Sequence, residues 1–328
     1  MNFKIGRDNL ALTVFVPFDC ENNCKFCTSK ESYKHRKASV DNVKYQMKRV
    51  FERYDYPIKD VVFTGGEPTA DIEVLKELIY IVPDRLNVYI NTTFPKKNAN
   101  DFIWLVNDCD KISGVNISRH CKSYEEDCKH FFDISEDNEI RKFIKPVRIN
   151  CVLNDQNAED IEAIIERWKG YGATLHFRQD YRFTNPQDLH NPYNEVSMKL
   201  IELEYEYNGH AQCNVCDTTT FSKGCNDVVF HKGLEGSAIF TAPDVLEIND
   251  LIIMQDGNFQ IDWTDCPMEI VDQFEMHYKK LNPLTRIYED FLSRGFGMSG
   301  CGVTCGMSGC GVTCGHSTKT NYCGGGGC

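Results

Sequence analysis

The amino-acid sequence predicts an α/β fold built on a parallel sheet, either doubly wound or curved into part of a barrel. Three observations carry that expectation. Six short apolar runs recur through the first two-thirds of the 328-residue chain. Stretches of helical period lie between them. Strands that alternate with helices in this way bury a sheet in parallel order, because each crossover returns the chain to the same end. In either architecture, chemistry belongs at the carboxyl ends of the strands.

The strand-like runs are ALTVFV (11–16), VVFT (61–64), NVYIN (87–91), GVNIS (114–118), VRINCVL (147–153) and TLHFRQ (174–179). Between the first two, residues 39–54 place Val40, Val43, Met47, Val50 and Phe51 on one helical face, with Ser39 as the N-cap. Residues 71–82 do the same with Ile72, Leu75, Leu78, Ile79 and Val82. A further helix is expected over 157–171, carried by Ile161, Ile164, Ile165 and Trp168 and stopped at Gly172. After residue 205 the pattern changes. LIIMQDGNFQIDW reads as strand, turn and strand around Asp256-Gly257, and a helix follows over 268–280. From Gly295 the chain is low-complexity: GMSGCGVTC (297–305) recurs unchanged at 306–314, GHSTKTNYC (315–323) keeps its length and final cysteine, and GGGGC follows. Such composition cannot build an apolar core. Three regions result: an α/β domain over 1–205, a cysteine-bearing α+β extension over 206–294 and a disordered Cys/Gly-rich tail over 295–328.

Hydrophobic residues at 41% and charged residues at 26% are ordinary for a globular protein. A formal net charge of -12 disfavours binding to a phosphate backbone, although Lys142, Lys145 and Arg148 make a local basic patch. No stretch is long and apolar enough to span a membrane, and the first twenty residues lack the apolar core and cleavage site of a signal peptide. A cytoplasmic location is therefore expected. In a reducing compartment, seventeen cysteines point to metal, cluster or redox chemistry and not to a disulfide framework.

The densest chemistry lies just after the first strand, where CENNCKFC sets Cys20, Cys24 and Cys27 in C-x3-C-x2-C spacing. A structural zinc site takes four ligands, commonly as two C-x2-C pairs, and no fourth thiol follows here. Three thiolates on one loop suit a [4Fe-4S] cluster, holding three irons and leaving the fourth open to a ligand. Phe26, next to the last thiol, would keep water from such a centre. The second strand ends in Thr64-Gly65-Gly66-Glu67-Pro68, where glycines admit a ligand close to the backbone and a carboxylate suits an ammonium group.

Together, C-x3-C-x2-C after strand one and Gly-Gly-Glu-Pro after strand two resemble the radical S-adenosylmethionine (radical SAM) superfamily, over roughly residues 10 to 180. The resemblance implies a partial (β/α)6 TIM-like barrel and reductive cleavage of S-adenosylmethionine to a 5′-deoxyadenosyl radical, with an electron donor such as flavodoxin or ferredoxin. It implies that Gly65, Gly66 and Glu67 meet the methionine ammonium and that Ser118 meets the carboxylate or ribose. Asn91-Thr92-Thr93 stands where many members have a Thr-Asn-Gly turn. Arg119 is either a partner of the carboxylate or a solvated surface arginine. Asn150 and Arg178, on strands five and six, are expected to point into the barrel, as ligand contacts or as structural hydrogen-bonding groups.

A second set, Cys213, Cys216, Cys225 and Cys266, reads as a zinc or auxiliary iron–sulfur site, or as free thiols. It is similar to the cysteine-rich extensions of peptide-modifying members, though its spacing departs from theirs. Cys109, Cys121, Cys128 and Cys151 read as small buried residues, and His120 and His130 as surface or satisfied polar groups. The substrate expected is a peptide or a small molecule such as a nucleotide; a non-catalytic cysteine-rich metal-binding protein is the reading from another class. Under the peptide reading, the tail itself, with Cys301, Cys305, Cys310, Cys314, Cys323 and Cys328, is a candidate fused substrate.

Overall fold

The computed structural model describes residues 1–6, 10–22, 24, 26, 27, 29–120, 134–153, 160–179, 192–213, 216–233, 238–263 and 266–280. Cys121, Cys128, His130 and the whole tail lie outside the described residues.

Its centre is an eleven-stranded sheet. The six predicted strands appear in chain order: β2 (Leu10–Phe15), β3 (Ile58–Thr64), β4 (Asn87–Thr92), β5 (Ile112–Ser118), β6 (Val147–Leu153) and β7 (Thr174–Gln179); β1 (Asn2–Ile5) precedes them. Each pairs parallel with the next, from β2 through β7. The helices on the outer face are α2 (Val40–Arg53), α3 (Ile72–Ile81), α4 (Ala99–Asp108) and α5 (Ile161–Trp168), while α1 (Ser29–His35) follows the cysteine loop. Ser39 caps α2, accepting from the Asn42 amide, and Asp71 caps α3 through the Val74 amide.

Alternation divides the sheet into two unlike faces. Leu12, Val61, Phe63, Val88, Ile90, Val115, Ile117, Ile149, Leu175 and Phe177 join the helices in one apolar core. The opposite, inner face is largely polar, with Thr13, Asp60, Thr64, Asn91, Asn116, Asn150, His176 and Arg178. Two ladder hydrogen bonds run along it, Asn116 Nδ2 to Asn91 Oδ1 at 2.7 Å and Asn91 Nδ2 to Thr64 Oγ1 at 3.4 Å. A sheet with helices on one face and a polar inner face is the partial-barrel arrangement, not the doubly wound one.

The strands after residue 205 extend both edges of this sheet. After α6 (Pro192–Glu202), the strands β8 (Glu206–Cys213), β9 (Cys216–Lys223) and β10 (Asn226–Gly233) form an antiparallel meander, and β10 docks parallel on β7. At the other edge β13 (Asp250–Ile253) lies parallel to β2 and turns back into β14 (Phe259–Gln260) through Asp256-Gly257, the predicted hairpin. Chain-distant pieces thus frame the six-strand core. A small separate sheet joins β1 to β12 (Val245–Ile248) and β11 (Ala238–Ala242), and α7 (Met268–His277) packs Phe274 against Phe3 and Tyr56. None of the described helices is long and apolar enough to cross a membrane.

The predicted basic patch is parted by this geometry: Arg148 lies on the inner face of β6, while Lys142 is exposed on the turn before the strand.

Candidate functional site

Two loops meet at the carboxyl ends of β2 and β3. The first carries Cys20, Cys24 and Cys27, all partly exposed, with a turn closed by the Cys27 amide on the Cys24 carbonyl at 3.1 Å. The second is the Gly65-Gly66-Glu67-Pro68 turn, which enters a short 3₁₀ segment at Pro68–Ala70. The contact between them is backbone to backbone. A Cβ on Gly66 would overlap the Phe18 carbonyl oxygen and stand 3.0 Å from Asp19 Cα, so only glycine lets the turn lie against the chain leading to Cys20. Gly65 has φ +105°, a conformation glycine alone adopts readily.

Tyr33 on α1 clamps the same junction. Its hydroxyl donates to the Val16 carbonyl at 2.6 Å and accepts from the Gly66 amide at 2.7 Å. Burial, its largest influence, pushes the Tyr33 pKa up, so the phenol stays protonated and able to donate.

Glu67 is buried, and its side chain turns into the protein. Oε1 accepts from the Thr69 amide at 3.1 Å, the Thr69 hydroxyl at 2.7 Å and the Thr92 hydroxyl; Oε2 accepts from the Thr93 amide at 2.8 Å and the Thr93 hydroxyl at 2.6 Å. Asn22, inside the cysteine loop, donates to Thr93 Oγ1 at 3.2 Å. A chain Asn22–Thr93–Glu67 therefore ties the cysteine loop, the end of β4 and the glycine turn together. The sequence offered one signal of it: Thr92-Thr93 replaces the more usual turn, and both hydroxyls serve as donors to the carboxylate.

The Cys20 thiol is pushed up to about 12, first by burial and then by the Glu67 charge, with Cys27 adding to the effect. Burial raises Cys27 as well. Thiols held this way are poor nucleophiles and ionise when a metal displaces the proton. Among the described residues no three His, Cys, Asp or Glu side chains are already drawn together closely enough to hold a metal ion. The fit of Cys20, Cys24 and Cys27 to an iron–sulfur cluster rests on donor type, on three thiols sharing one loop, and on the electrostatic coupling of Cys20 to Cys27.

Phe26 packs edge-on to His120, ring centroids 5.0 Å apart. His120 is buried, accepts at Nδ1 from the Val152 amide at 3.3 Å, and is held neutral with a pKa of about 3 by burial and by Arg119 and Arg167. Arg119 corrects an expectation. It is fully buried, its guanidinium donates to the carbonyls of Thr93, Ser118 and Ser135, and Nε lies 3.7 Å from Asp137, so it is not a solvated surface residue. A buried guanidinium satisfied by carbonyls braces the ends of β4 and β5. Ser118 ends β5 opposite Asn150 on β6, and Asn150 lies opposite His176 on β7, with Arg178 two residues further along that strand.

The second cysteine set is spread along the sheet. Cys213 and Cys216 are cross-strand partners at the β8–β9 hairpin tip. Cys225 sits in the turn at the other end of the eight-residue β9, roughly 25 Å away at ordinary strand rise. Cys266 is bonded through its amide to Gln260 of β14, at the opposite edge of the sheet from β8. One zinc or auxiliary-cluster site built from Cys213, Cys216, Cys225 and Cys266 would need positions at both edges of the sheet to meet.

Residues 14–103 match the family model of the Radical SAM superfamily, a span that includes the cysteine loop, the glycine turn and β4. Over that span the chain is similar to the radical SAM family. No curated protein matches it in sequence. Among solved structures it is similar to Streptococcus suis SuiB bound to precursor peptide SuiA, at TM-score 0.46 and 16% identity over 60% of this chain and 47% of that one. SuiB bound to S-adenosylmethionine aligns at 0.45 and 16%, over 77% and 60%. A histidine-tagged anSMEcpe with bound AdoMet aligns at 0.44 and 16%, over 60% of each chain. The chain thus spans 47% to 60% of the length of these structures.

Proposed function

We propose that the protein is a radical SAM enzyme that modifies a peptide. The observation that carries the reading is the backbone contact of Gly66 with Phe18 and Asp19, which sets the cysteine loop against the glycine turn. Cys20, Cys24 and Cys27 would hold a [4Fe-4S] cluster with one open iron. When bound, the cluster supplies an electron to S-adenosylmethionine, which cleaves to methionine and a 5′-deoxyadenosyl radical able to abstract a substrate hydrogen.

The chain's own residues shape that site. Gly65 and Gly66 let the turn lie against the cysteine loop, and the methionine ammonium would meet the backbone of this turn. Glu67 keeps the turn in register by holding Thr69, Thr92 and Thr93. Ser118, at the end of β5, would meet the carboxylate or ribose, and Phe26, packed on His120, would limit water at the loop. An electron donor such as flavodoxin or ferredoxin and a reducing, cytoplasmic setting belong to the same reading. A peptide substrate is favoured by the nine-residue cysteine repeat at 297–314, which gives the chain a peptide-like segment of its own.

The test is anaerobic reconstitution of the full chain with iron and sulfide, followed by S-adenosylmethionine and dithionite. The wild type is expected to be brown and to form 5′-deoxyadenosine, and Cys24→Ala to form none. A Cys24→Ala protein that forms it at the wild-type rate overturns the assignment.

A further inference from the structure

The inner face of the sheet is electrically uneven. On the two strands that flank β2, toward their amino ends, it carries carboxyl groups, Asp60 on β3 and Asp250 on β13, both buried. Across the barrel, β6, β7 and β10 carry Arg148, His176, Arg178 and His231 instead. Register places these groups close together. Arg178 is the strand partner of His231, and His176 is the partner of Asn150, two residues along β6 from Arg148. Neighbouring strands lie about 4.8 Å apart and each residue adds about 3.3 Å along a strand, so the set spans about 10 Å across three strands and about 13 Å along them, with Arg148 and Arg178 two residues to either side of the Asn150–His176 level. Burial and the charges of Arg148, Arg178 and His231 hold the His176 pKa well below its ordinary value. All three charged neighbours act on it with the same sign.

A second observation comes from the same surface. Asn150 is 8% exposed, lies on the inner face, and its buried Oδ1 accepts no hydrogen bond. An acceptor left without a donor in a protein interior costs free energy unless something completes it.

We propose that β6, β7 and β10 form a carboxylate subsite for the substrate, in which Arg148 and Arg178 bind the carboxylate and Asn150 Oδ1 takes an amide N–H beside it. Guanidinium forks match the planar, two-oxygen geometry of a carboxylate. A carboxylate with an amide N–H a few bonds away is the chemistry of an acidic residue, or of the last residue, of a peptide. The location fits the task. The subsite lies four strands from β3 along the sheet, so a substrate anchored there extends back over the inner face toward the cysteine loop. What the subsite is for rests on the radical SAM reading; that it binds a carboxylate does not.

The experiment is calorimetric titration of the full chain with small probes. N-Acetylglycine carries the carboxylate and the N–H of a chain end, and N-acetylglutamate α-amide those of an acidic residue; N-acetylglycinamide is the neutral control. At least one acid is expected to bind saturably and the neutral control not at all, and the tighter acid identifies which part of the peptide is anchored. Arg178→Gln and Arg148→Gln are each expected to weaken the acid by about tenfold or more, as loss of a charged hydrogen bond should. Arg178→Lys should fall between. N-Acetylsarcosine, which lacks the N–H, should bind the wild type more weakly than N-acetylglycine and bind Asn150→Ala equally well. If the neutral amide binds as tightly as the acids, or neither acid binds, the proposal is overturned without recourse to any variant. It is also overturned if both arginine variants melt as the wild type does and bind undiminished. Wild-type formation of 5′-deoxyadenosine is scored separately, so failure of the subsite and failure of the radical reading are told apart.

Discussion

The two cysteine groups of this chain look alike in sequence and differ in space. Cys20, Cys24 and Cys27 occupy a loop between β2 and α1, where the backbone curls and successive side chains can turn toward one point. Cys213, Cys216 and Cys225 flank a strand, where each residue adds about 3.3 Å and separates the ends. A C-x2-C pair at a hairpin tip becomes a metal site only if other ligands reach the tip. Spacing alone does not distinguish these cases; the secondary structure carrying the spacing does.

The sharpest way to break the comparison is to remove the first group altogether. A Cys20→Ala/Cys24→Ala/Cys27→Ala protein, reconstituted anaerobically with iron, sulfide and zinc, is expected to retain less than about a tenth of the wild-type metal, because three-point ligation cannot be spared. Elemental analysis of the folded variant checks it. A full equivalent of metal left behind would mean that the later cysteines gather after all.

The glycine turn ranks next. Gly66→Ala drives a methyl group into the Phe18 carbonyl, a backbone atom that cannot rotate aside. Overpacking of this kind costs about 1–3 kcal/mol, and here the strain falls on the cysteine loop itself. Denaturant unfolding should report the loss, and iron content should fall with it. Wild-type iron content in a destabilised Gly66→Ala protein would separate the turn from the cluster loop.

Much of this could be read from the chain before its fold was known. The bounds of β6 and β7 coincide with the predicted runs, because each is a continuous apolar-alternating segment between polar breaks. Ser39 caps α2 as its position suggested. The predicted helices over 157–171 and 268–280 are shorter in the structure, Ile161–Trp168 and Met268–His277; the segment 154–159 lies outside the described residues. What escaped was long-range. Nothing local in Asp250–Ile253 says that it will pair parallel with β2, or in Asn226–Gly233 that it will dock on β7. Arg119 gave no sign of burial, since the carbonyls that satisfy it belong to residues 93, 118 and 135. The role of Glu67 as a hub for three threonines was likewise invisible, although its place in the motif was plain.

That hub can be tested against the alternative that the carboxylate directly faces a ligand. Glu67→Gln places an NH₂ group among five donors, so some of them lose their acceptor. A cost of about 2–3 kcal/mol is expected in urea unfolding without any ligand present. A Glu67→Gln protein of unchanged stability with weakened S-adenosylmethionine binding would assign the side chain to the ligand instead.

A smaller effect concerns the histidine behind Phe26. His120 has a folded pKa of about 3 against an ordinary 6.5, so it is neutral in the fold and charges more readily when unfolded. Its share of stability is whole above pH 6.5 and is lost as pH falls toward 3. At pH 5 the loss is about 2 kcal/mol. His120→Gln should flatten the acid limb of the stability curve by that order, after allowance for His176, which shifts in the same direction. Parallel acid limbs for the two proteins would remove His120 from the account.

The tail gives the smallest expected effect on the barrel and the largest question about its use. Residues 297–328 carry six cysteines, a third group, in glycine-rich sequence that cannot bury a core of its own. The cysteine loop and the glycine turn lie far from them in sequence, so truncation after Arg294 is expected to leave the melting temperature and S-adenosylmethionine cleavage as they are. A random coil of about thirty residues would span roughly 30 Å, a length that suits presentation of a tethered substrate at high effective concentration. If it is the substrate, the full chain incubated with S-adenosylmethionine and reductant will yield tail peptides lighter by two hydrogens per crosslink. Mass spectrometry of a proteolytic digest reads this directly, with the truncated protein supplying 5′-deoxyadenosine but no such peptides. Tail masses that stay unchanged while 5′-deoxyadenosine accumulates would place the substrate elsewhere.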